Sequence, residues 1–233
     1  MAVEFGISNW SGWTTPGLAA ASSSAVRISP TPDASAIPAL LRRRLNTLGR
    51  AAAAEMLRLP AAGSTPVVYS SRHGDIERTL GVLLELADGE PVSPMNFSLA
   101  VHNAIPGILS IHSGNTANIT SLAAIEESLV PALLEANGLL QEGYEQVFCL
   151  FVDVPVPEIY RTACGEPAAP YAASFLIRAA GGNRFSLRPS GGAPPEPADY
   201  VLPEALRFVD YLDTTSARFE TCHNDRLWIV ARH

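Results

Sequence analysis

One stretch of the sequence limits the fold more than any other, namely the uninterrupted apolar run at residues 147–152. Neither of the two faces that a strand would present here carries a polar side chain. This pattern is typical of a central strand that is covered on both faces, and it predicts a strand at residues 147–154. We therefore expect a sheet that lies between two layers of helices.

Strands and helices alternate along the rest of the chain. Apolar residues at steps of three and four predict helices at residues 41–59, 75–87, 98–112, 126–140 and 202–212, with a kink at Pro106. Runs of β-branched and apolar residues predict the other strands at 3–8, 66–70, 119–124 and 172–180. Residues 181–198 are rich in Gly and Pro and predict a loop, and two more strands flank a turn at 223–225. The pattern predicts one α/β domain over residues 1–233, built on a mostly parallel five-stranded sheet plus a C-terminal hairpin.

Composition excludes several classes of function. A net charge of -7 disfavours a nucleic-acid partner. No apolar run approaches the ~20 residues of a membrane-spanning helix, and residues 1–5 lack the features of a signal peptide, so we expect a cytoplasmic protein. Cys149, Cys164 and Cys222 have no CxxC spacing, which predicts neither a disulfide framework nor a zinc site. Common nucleotide, metalloprotease and hydrolase motifs are also missing from the sequence, and we expect no cofactor or metal.

The first predicted helix carries five arginines, at positions 42, 43, 44, 50 and 58. A solvated charged face is one interpretation of this cluster. The other is a docking surface for an acidic partner. The sequence alone leaves both open.

Residues 97–129 resemble the nucleophile region of β-ketoacyl synthases. The register is carried by Asn103, Gly107, Ser110, Ile111 and Gly114. The segment Ala-Ile-Glu-Glu-Ser at 124–128 replaces the Thr-Ala-Cys-x-Ser of that family, so Glu126 takes the place of the nucleophilic cysteine. The segment VVYSSRHG at 67–74 is similar to the strand and glycine loop that edge the acyl tunnel, and the segment from Phe5 onward is similar to the first strand.

The resemblance covers most of residues 1–155 and is closest to short β-ketoacyl-synthase-like proteins of aryl polyene and related pigment pathways. These proteins are chain-length-factor partners of a complete synthase. The resemblance implies a thiolase-like fold corresponding to the N-terminal half of a ketosynthase, a heterodimer with a full-length ketosynthase, and an acyl carrier protein as a further candidate partner. It implies no independent condensation, because the cysteine is replaced and the two catalytic histidines of the family come from the second half of the fold.

The resemblance also suggests tunnel or interface candidates, which are Arg72, His73, Phe97, Asn103 and Glu126. Arg72 is expected to narrow a tunnel or to pair with an acid such as Asp75. For Phe97 two roles stay open, an aromatic residue at the dimer interface or an ordinary core residue.

Two other interpretations need to be weighed. Glu126 could be only an acid at a helix N-terminus, where the helix dipole favours it. Cys164 lies in a Thr-Ala-Cys-Gly segment, and an independent acyltransferase or thioesterase-like enzyme would use Cys164 or Glu126. The prolines after Cys164 argue against a following helix, which such a thiol needs to lower its pKa. A lipid- or pigment-binding module is a third possibility.

Overall fold

The computed structural model describes residues 2–18, 22–58, 63–124, 128–164, 167–191 and 202–233. Within these ranges the strands are β1 Val3–Thr14, β2 Val26–Ile28, β3 Val67–Ser70, β4 Ile119–Leu122, β5 Gln146–Asp153, β6 Tyr171–Arg178, β7 Asn183–Pro189, β8 Arg218–His223 and β9 Arg226–Arg232. The α-helices are α1 Ala39–Arg42, α2 Thr47–Met56, α3 Ile76–Ala87, α4 Pro94–Ala100, α5 Ala104–Ser113, α6 Leu129–Gln141 and α7 Glu204–Leu212, and a 3₁₀ helix spans Glu158–Tyr160.

The described strands form one mixed sheet in the order β4-β3-β5-β6-β1-β7-β9-β8, with β2 paired to β1. Parallel pairing in the described sheet is limited to β3 with β4, β3 with β5 and the short β1–β2 pair. The expectation of a mostly parallel five-stranded sheet is therefore wrong. Parallel neighbours need a long crossover, usually a helix. The described part of the β5–β6 connection contains only the 3₁₀ helix, and β6 pairs antiparallel with both β5 and β1.

The predicted central strand is confirmed. β5 lies between β3 and β6, and all its residues except Gln146 are buried. Cys149 and Phe151 pack in the core beneath α6 and α7, whereas Phe148 and Leu150 pack in a second core with α2 and α5. The sheet thus lies between two helical layers.

Two predicted helices are each divided in the structure. The helix expected at 41–59 consists of α1 and α2, because the side chain of Asn46 caps the start of α2 and accepts a hydrogen bond from Gly49 N (3.2 Å). The helix expected at 98–112 consists of α4 and α5, which are separated after Ala100. Pro106 lies in the first turn of α5, where its missing N–H breaks no helical hydrogen bond, so it causes no kink.

The Gly/Pro-rich segment contains a strand that the sequence prediction missed. β7 pairs antiparallel with β1 and β9, and its residues Phe185 and Leu187 are fully buried. The predicted C-terminal hairpin is present as β8–β9, and its turn residues Asn224 and Asp225 have φ of 51° and 55°, the left-handed values that tight hairpin turns need. This hairpin extends the main sheet through β7.

None of the described helices is both long enough and apolar enough to cross a membrane.

Candidate functional site

The parallel strands β4, β3 and β5 all end at one edge of the sheet. In open α/β sheets, ligand sites form beyond the carboxyl ends of the strands. The loop of residues 71–75, which we call the edge loop, follows β3 and bridges its two neighbours. Ser71 N donates to Leu122 O at the end of β4 (3.1 Å), and Arg72 N donates to Asp153 Oδ1 at the end of β5 (2.9 Å). The predicted candidates Arg72 and His73 therefore both lie at this edge.

Asp153 is the anchor of the edge loop. Its carboxylate is buried and accepts hydrogen bonds from Ser71 Oγ (2.8 Å) and Arg72 N at Oδ1, and from Tyr171 Oη at Oδ2 (3.3 Å). Burial raises the pKa of Asp153 to about 6, although the hydrogen bond from Ser71 and the positive charge of Arg72 oppose that shift. Asp153 was not among the residues predicted from the sequence.

His102 closes the edge loop from the α5 side. Its Nε2 lies 3.1 Å from Leu122 O, and its ring meets the ring of Tyr69 edge to face with centroids 5.8 Å apart. Gly74 has a φ of +58°, and a Cβ at this position would lie 2.9 Å from His102 Nδ1. Burial lowers the pKa of His102 and, together with the charge of Arg72, also that of His73, so both imidazoles are mostly neutral at pH 7.

The turn between α1 and α2 is tied to the other end of the edge loop. Asn46 Nδ2 donates to Asp75 Oδ1 (2.9 Å), and Arg78 Nε forms a salt bridge with Asp75 Oδ2 (3.0 Å). Asp75 also caps α3 by accepting from Arg78 N. The proposed pairing of Arg72 with Asp75 stays a prediction, because the hydrogen bonds and the salt bridge described for Asp75 join it to Asn46 and Arg78.

The predicted strand-to-helix corner is bounded by β4, which ends at Leu122, and α6, which begins at Leu129. The helix starts three residues later than expected. Glu126 lies outside the described residues, so its place at the corner stays a prediction.

The N-terminus of α6 is occupied by a carboxylate that sequence reasoning missed. Leu129 N donates to Glu204 Oε2 (3.0 Å), and Thr221 Oγ1 donates to Glu204 Oε1. Glu204 is buried and is also the first residue of α7. An N–H at the start of a helix can stabilise a thiolate or an oxyanion. Here the Leu129 N–H is already bonded to an internal carboxyl oxygen, that of Glu204.

The two remaining candidates lie near one another in sequence, on or beside exposed helices. Phe97 in α4 is 61% exposed, so the core interpretation is wrong. Asn103 occupies the cap position of α5, where its exposed side chain makes no capping hydrogen bond. Seven of the twelve exposed large apolar side chains in the described residues belong to α3, α4, α5 and the segments between them: Leu83, Leu84, Leu86, Met95, Phe97, Val101 and Ile111. We call this set the α3–α5 apolar surface.

The cysteines give no support to a thiol enzyme. Cys149 is fully buried beneath α6, and burial raises the pKa of its thiol. Cys164 ends a turn after the 3₁₀ helix, with its N–H bonded to Tyr160 O (3.0 Å), and no helix follows it within the described residues before β6. Three or more His, Cys, Asp or Glu side chains do not come together as a metal site in the described part of the chain.

Two comparisons with known proteins find relatives of β-ketoacyl synthases. A model of the β-ketoacyl synthase N-terminal domain matches residues 10–229. A structure of a ketosynthase (ApeO) in complex with its chain length factor (ApeC) from Xenorhabdus doucetiae is similar, with 25% identity, a TM-score of 0.77, and coverage of 99% of this chain and 100% of that chain. The ishigamide ketosynthase/chain length factor shares the fold, with 17% identity, a TM-score of 0.60, and coverage of 81% of this chain and 67% of that chain. A comparison with curated proteins finds no significant match.

Proposed function

The chain belongs to the β-ketoacyl synthase N-terminal domain family and has its thiolase-like fold, and we propose that it is the non-catalytic chain-length-factor partner of a full-length β-ketoacyl synthase. In this role it would help to set the length of acyl chains of the aryl polyene type. The observation that carries the proposal is the likeness to a ketosynthase–chain length factor complex, which spans 100% of the matched chain.

The chemistry of the described residues supports a partner without condensing activity of its own. Condensation needs a reactive thiolate beside imidazoles. His73 lies in the edge loop and His102 lies against it. Cys149 packs on the opposite face of the sheet from Tyr69, the residue that His102 contacts. A carboxylate also holds the first N–H of α6, where such a thiolate would be stabilised.

The α3–α5 apolar surface is the part of the molecule that best suits a protein partner. Isolated exposed apolar residues are common, but a concentration of them on consecutive helices marks an interaction surface. β4 lies at the adjoining end of the described sheet and pairs only with β3 there. Such an edge strand has free backbone groups that a partner can cover.

An acyl carrier protein is a further partner in this proposal, in the cytoplasm. Four of the five arginines in the α1–α2 region are exposed, namely Arg43, Arg44, Arg50 and Arg58. None of these four forms a salt bridge with a described carboxylate. Exposed guanidinium groups that are not paired with a carboxylate suit an acidic protein surface. This exposure supports the docking interpretation of the cluster.

Co-expression with a full-length ketosynthase of an aryl polyene pathway tests the proposal. We expect the chain alone to self-associate or to be poorly soluble, and to form a stable 1:1 complex with the synthase in size-exclusion chromatography. Phe97→Asp should weaken this complex at least tenfold, because a charge would be buried in an apolar interface. Ile159→Asp is the matched control, since Ile159 is 68% exposed but lies outside the α3–α5 apolar surface. A monomer that ignores the synthase would contradict the proposal.

A further inference from the structure

We propose that Asp153 is a positioning residue that holds Arg72 at the carboxyl edge of the sheet, where the family resemblance predicts an acyl tunnel, and thereby limits the length of the chain that the complex makes. This inference rests on the proposed function, because it concerns the product of the complex. It assigns a role to a residue that is buried in this chain and would not touch the acyl chain.

Asp153 controls the edge loop through two consecutive hydrogen bonds. Its Oδ1 accepts from Ser71 Oγ (2.8 Å) and from the backbone N–H of Arg72 (2.9 Å). Ser71 Oγ in turn accepts from Gly74 N (3.0 Å). One carboxylate oxygen therefore fixes both ends of the turn that carries Arg72 and His73.

The edge loop is held on its β4 side as well. Removing the Asp153 carboxylate would therefore free only the side of the loop that is attached to β5. Gly74 faces His102 so closely that no Cβ would fit without a shift, and His102 is held at Leu122 O. Ser71 N is bonded to Leu122 O as well. The loop is thus suspended between β4 and β5, and Asp153 supplies the attachment to β5.

Using a buried carboxylate to accept these hydrogen bonds costs free energy of folding. Burying an ionised carboxylate carries a desolvation penalty, and the raised pKa of Asp153 records it. A neutral apolar residue at the end of β5 would avoid that penalty but would remove the acceptor that three donors share, the hydroxyls of Ser71 and Tyr171 and the N–H of Arg72. The arrangement favours the fixed position of the loop at a cost in stability.

The experiment compares Asp153→Ala and Asp153→Asn in the complex with the ketosynthase. Alanine removes the acceptor, so we expect Arg72 to leave the tunnel edge and the products to lengthen by at least one extension unit. Asparagine keeps an Oδ1 acceptor for Ser71 and Arg72, and its products should match those of the natural sequence. Products are measured by mass spectrometry after turnover with purified synthase and acyl carrier protein.

Two further measurements separate positioning from stability. Hydrogen exchange of the complex with the synthase should show amides 72–74 exchanging at least tenfold faster in Asp153→Ala than in Asp153→Asn. Glu55→Gln is the control, because Glu55 is a buried carboxylate with a raised pKa that bonds Arg27 and Ser174 and not the edge loop. It should leave loop exchange and product length unchanged.

Unchanged product length in a well-assembled Asp153→Ala complex would overturn the inference, as would an equal lengthening in Glu55→Gln. If Asp153→Ala fails to fold, Ser71→Ala, which removes one of the two contacts to the loop, must give the longer products, and normal products would again overturn it. If the natural chain forms no complex with the synthase, the proposed function fails instead.

Discussion

At the scale of single residues, the informative groups are two buried carboxylates, Asp153 and Glu204. Asp153 is the last residue of β5, and Glu204 is the first residue of α7. Each accepts hydrogen bonds from residues distant in sequence. Buried carboxylates with several donors define local geometry because each unmet donor would cost free energy. Their effects can be measured separately, since they lie on different elements.

Asp153 should make the stability of the chain depend on pH. Its pKa is about 6 in the folded state against 3.8 as the ordinary value, so the folded state binds the proton more tightly. This contribution to the free energy of unfolding is fully present below about pH 3.8 and is lost as the pH rises through 6, a difference of about 3 kcal/mol. Urea unfolding from pH 4 to 7.5 should show this loss in the natural chain. Asp153→Asn should lack this part of the pH dependence, because its side chain at position 153 does not titrate. Parallel pH profiles for the two proteins would contradict it.

Glu204 should stabilise the start of α6. Glu204→Ala leaves Leu129 N and the Thr221 hydroxyl without this acceptor in a buried place, so we expect the free energy of unfolding to fall by about 1–3 kcal/mol. Glu204→Gln keeps one acceptor oxygen and should lose less. Chemical denaturation of the three proteins at pH 7 gives the comparison. Equal stability of Glu204→Ala and the natural chain would show that the contact contributes nothing.

The sequence singles out the edge loop as a candidate but does not indicate which residues hold it in place. Arg72 and His73 were recognised because they follow a strand and precede a glycine in a familiar order. Asp153 closes an apolar run and Glu204 lies 75 residues from its partner Leu129, so neither pattern reveals the hydrogen bonds. Such long-range partners depend on strand order, which local periodicity does not determine.

At the scale of elements, positive-φ glycines let the edge loop and α5 turn sharply. Gly74 has φ of +58° and ends the turn against His102, whereas Gly114 has φ of +66° and follows α5 with open space around its Cα. A side chain at either position meets the same left-handed strain, which costs about 1–2 kcal/mol. Only at Gly74 must a neighbour also move.

Alanine at these two positions provides a matched pair. Gly74→Ala should destabilise the chain more than Gly114→Ala, because its Cβ would meet His102 Nδ1 at 2.9 Å. The displaced imidazole should also change the chemical shifts of His102 in NMR spectra, which Gly114→Ala should leave alone. If both variants lower the unfolding temperature equally and the His102 chemical shifts do not change, the edge loop accommodates the added Cβ at no extra free-energy cost.

Element types were predicted well where apolar periodicity was strong, as for β5, α3 and α7. At two places the sequence predictions were wrong because a capping side chain or flanking glycines and prolines masked the true element. Asn46 divides a helix that looked continuous, because its side chain satisfies the first N–H groups of α2. β7 was hidden by flanking glycines and prolines, although Phe185 and Leu187 alternate as a strand requires. The first error touches the candidate site, because Asn46 also donates to Asp75 of the edge loop. β7 lies farther along the sheet, beyond β6 and β1.

At the scale of the whole molecule, the C-terminal third of the chain supplies an interior strand of the sheet, β6, and not only strands at its edge. β6 lies between β5 and β1, so the first strand of the chain reaches the parallel strands only through residues 171–178. α7 covers the same face as α6, with Phe208 packed edge to face on Phe175 of β6. The resemblance to the family was recognised over residues 1–155, yet this segment is not a structural unit in itself.

A truncation after residue 155 should therefore not fold. β1 would keep only its short pairing with β2, because its two long partners β6 and β7 would be missing, and the core face beneath α7 would be open to water. We expect the fragment to show no cooperative thermal transition and to form no complex with the co-expressed synthase. A chain ending at residue 213 keeps β6, β7 and α7 and loses only the outer hairpin, so it should retain a transition at a lower temperature. Cooperative unfolding of the 1–155 fragment would mean that β1 can close onto β5 directly, and that the C-terminal third is an addition and not a part of the core.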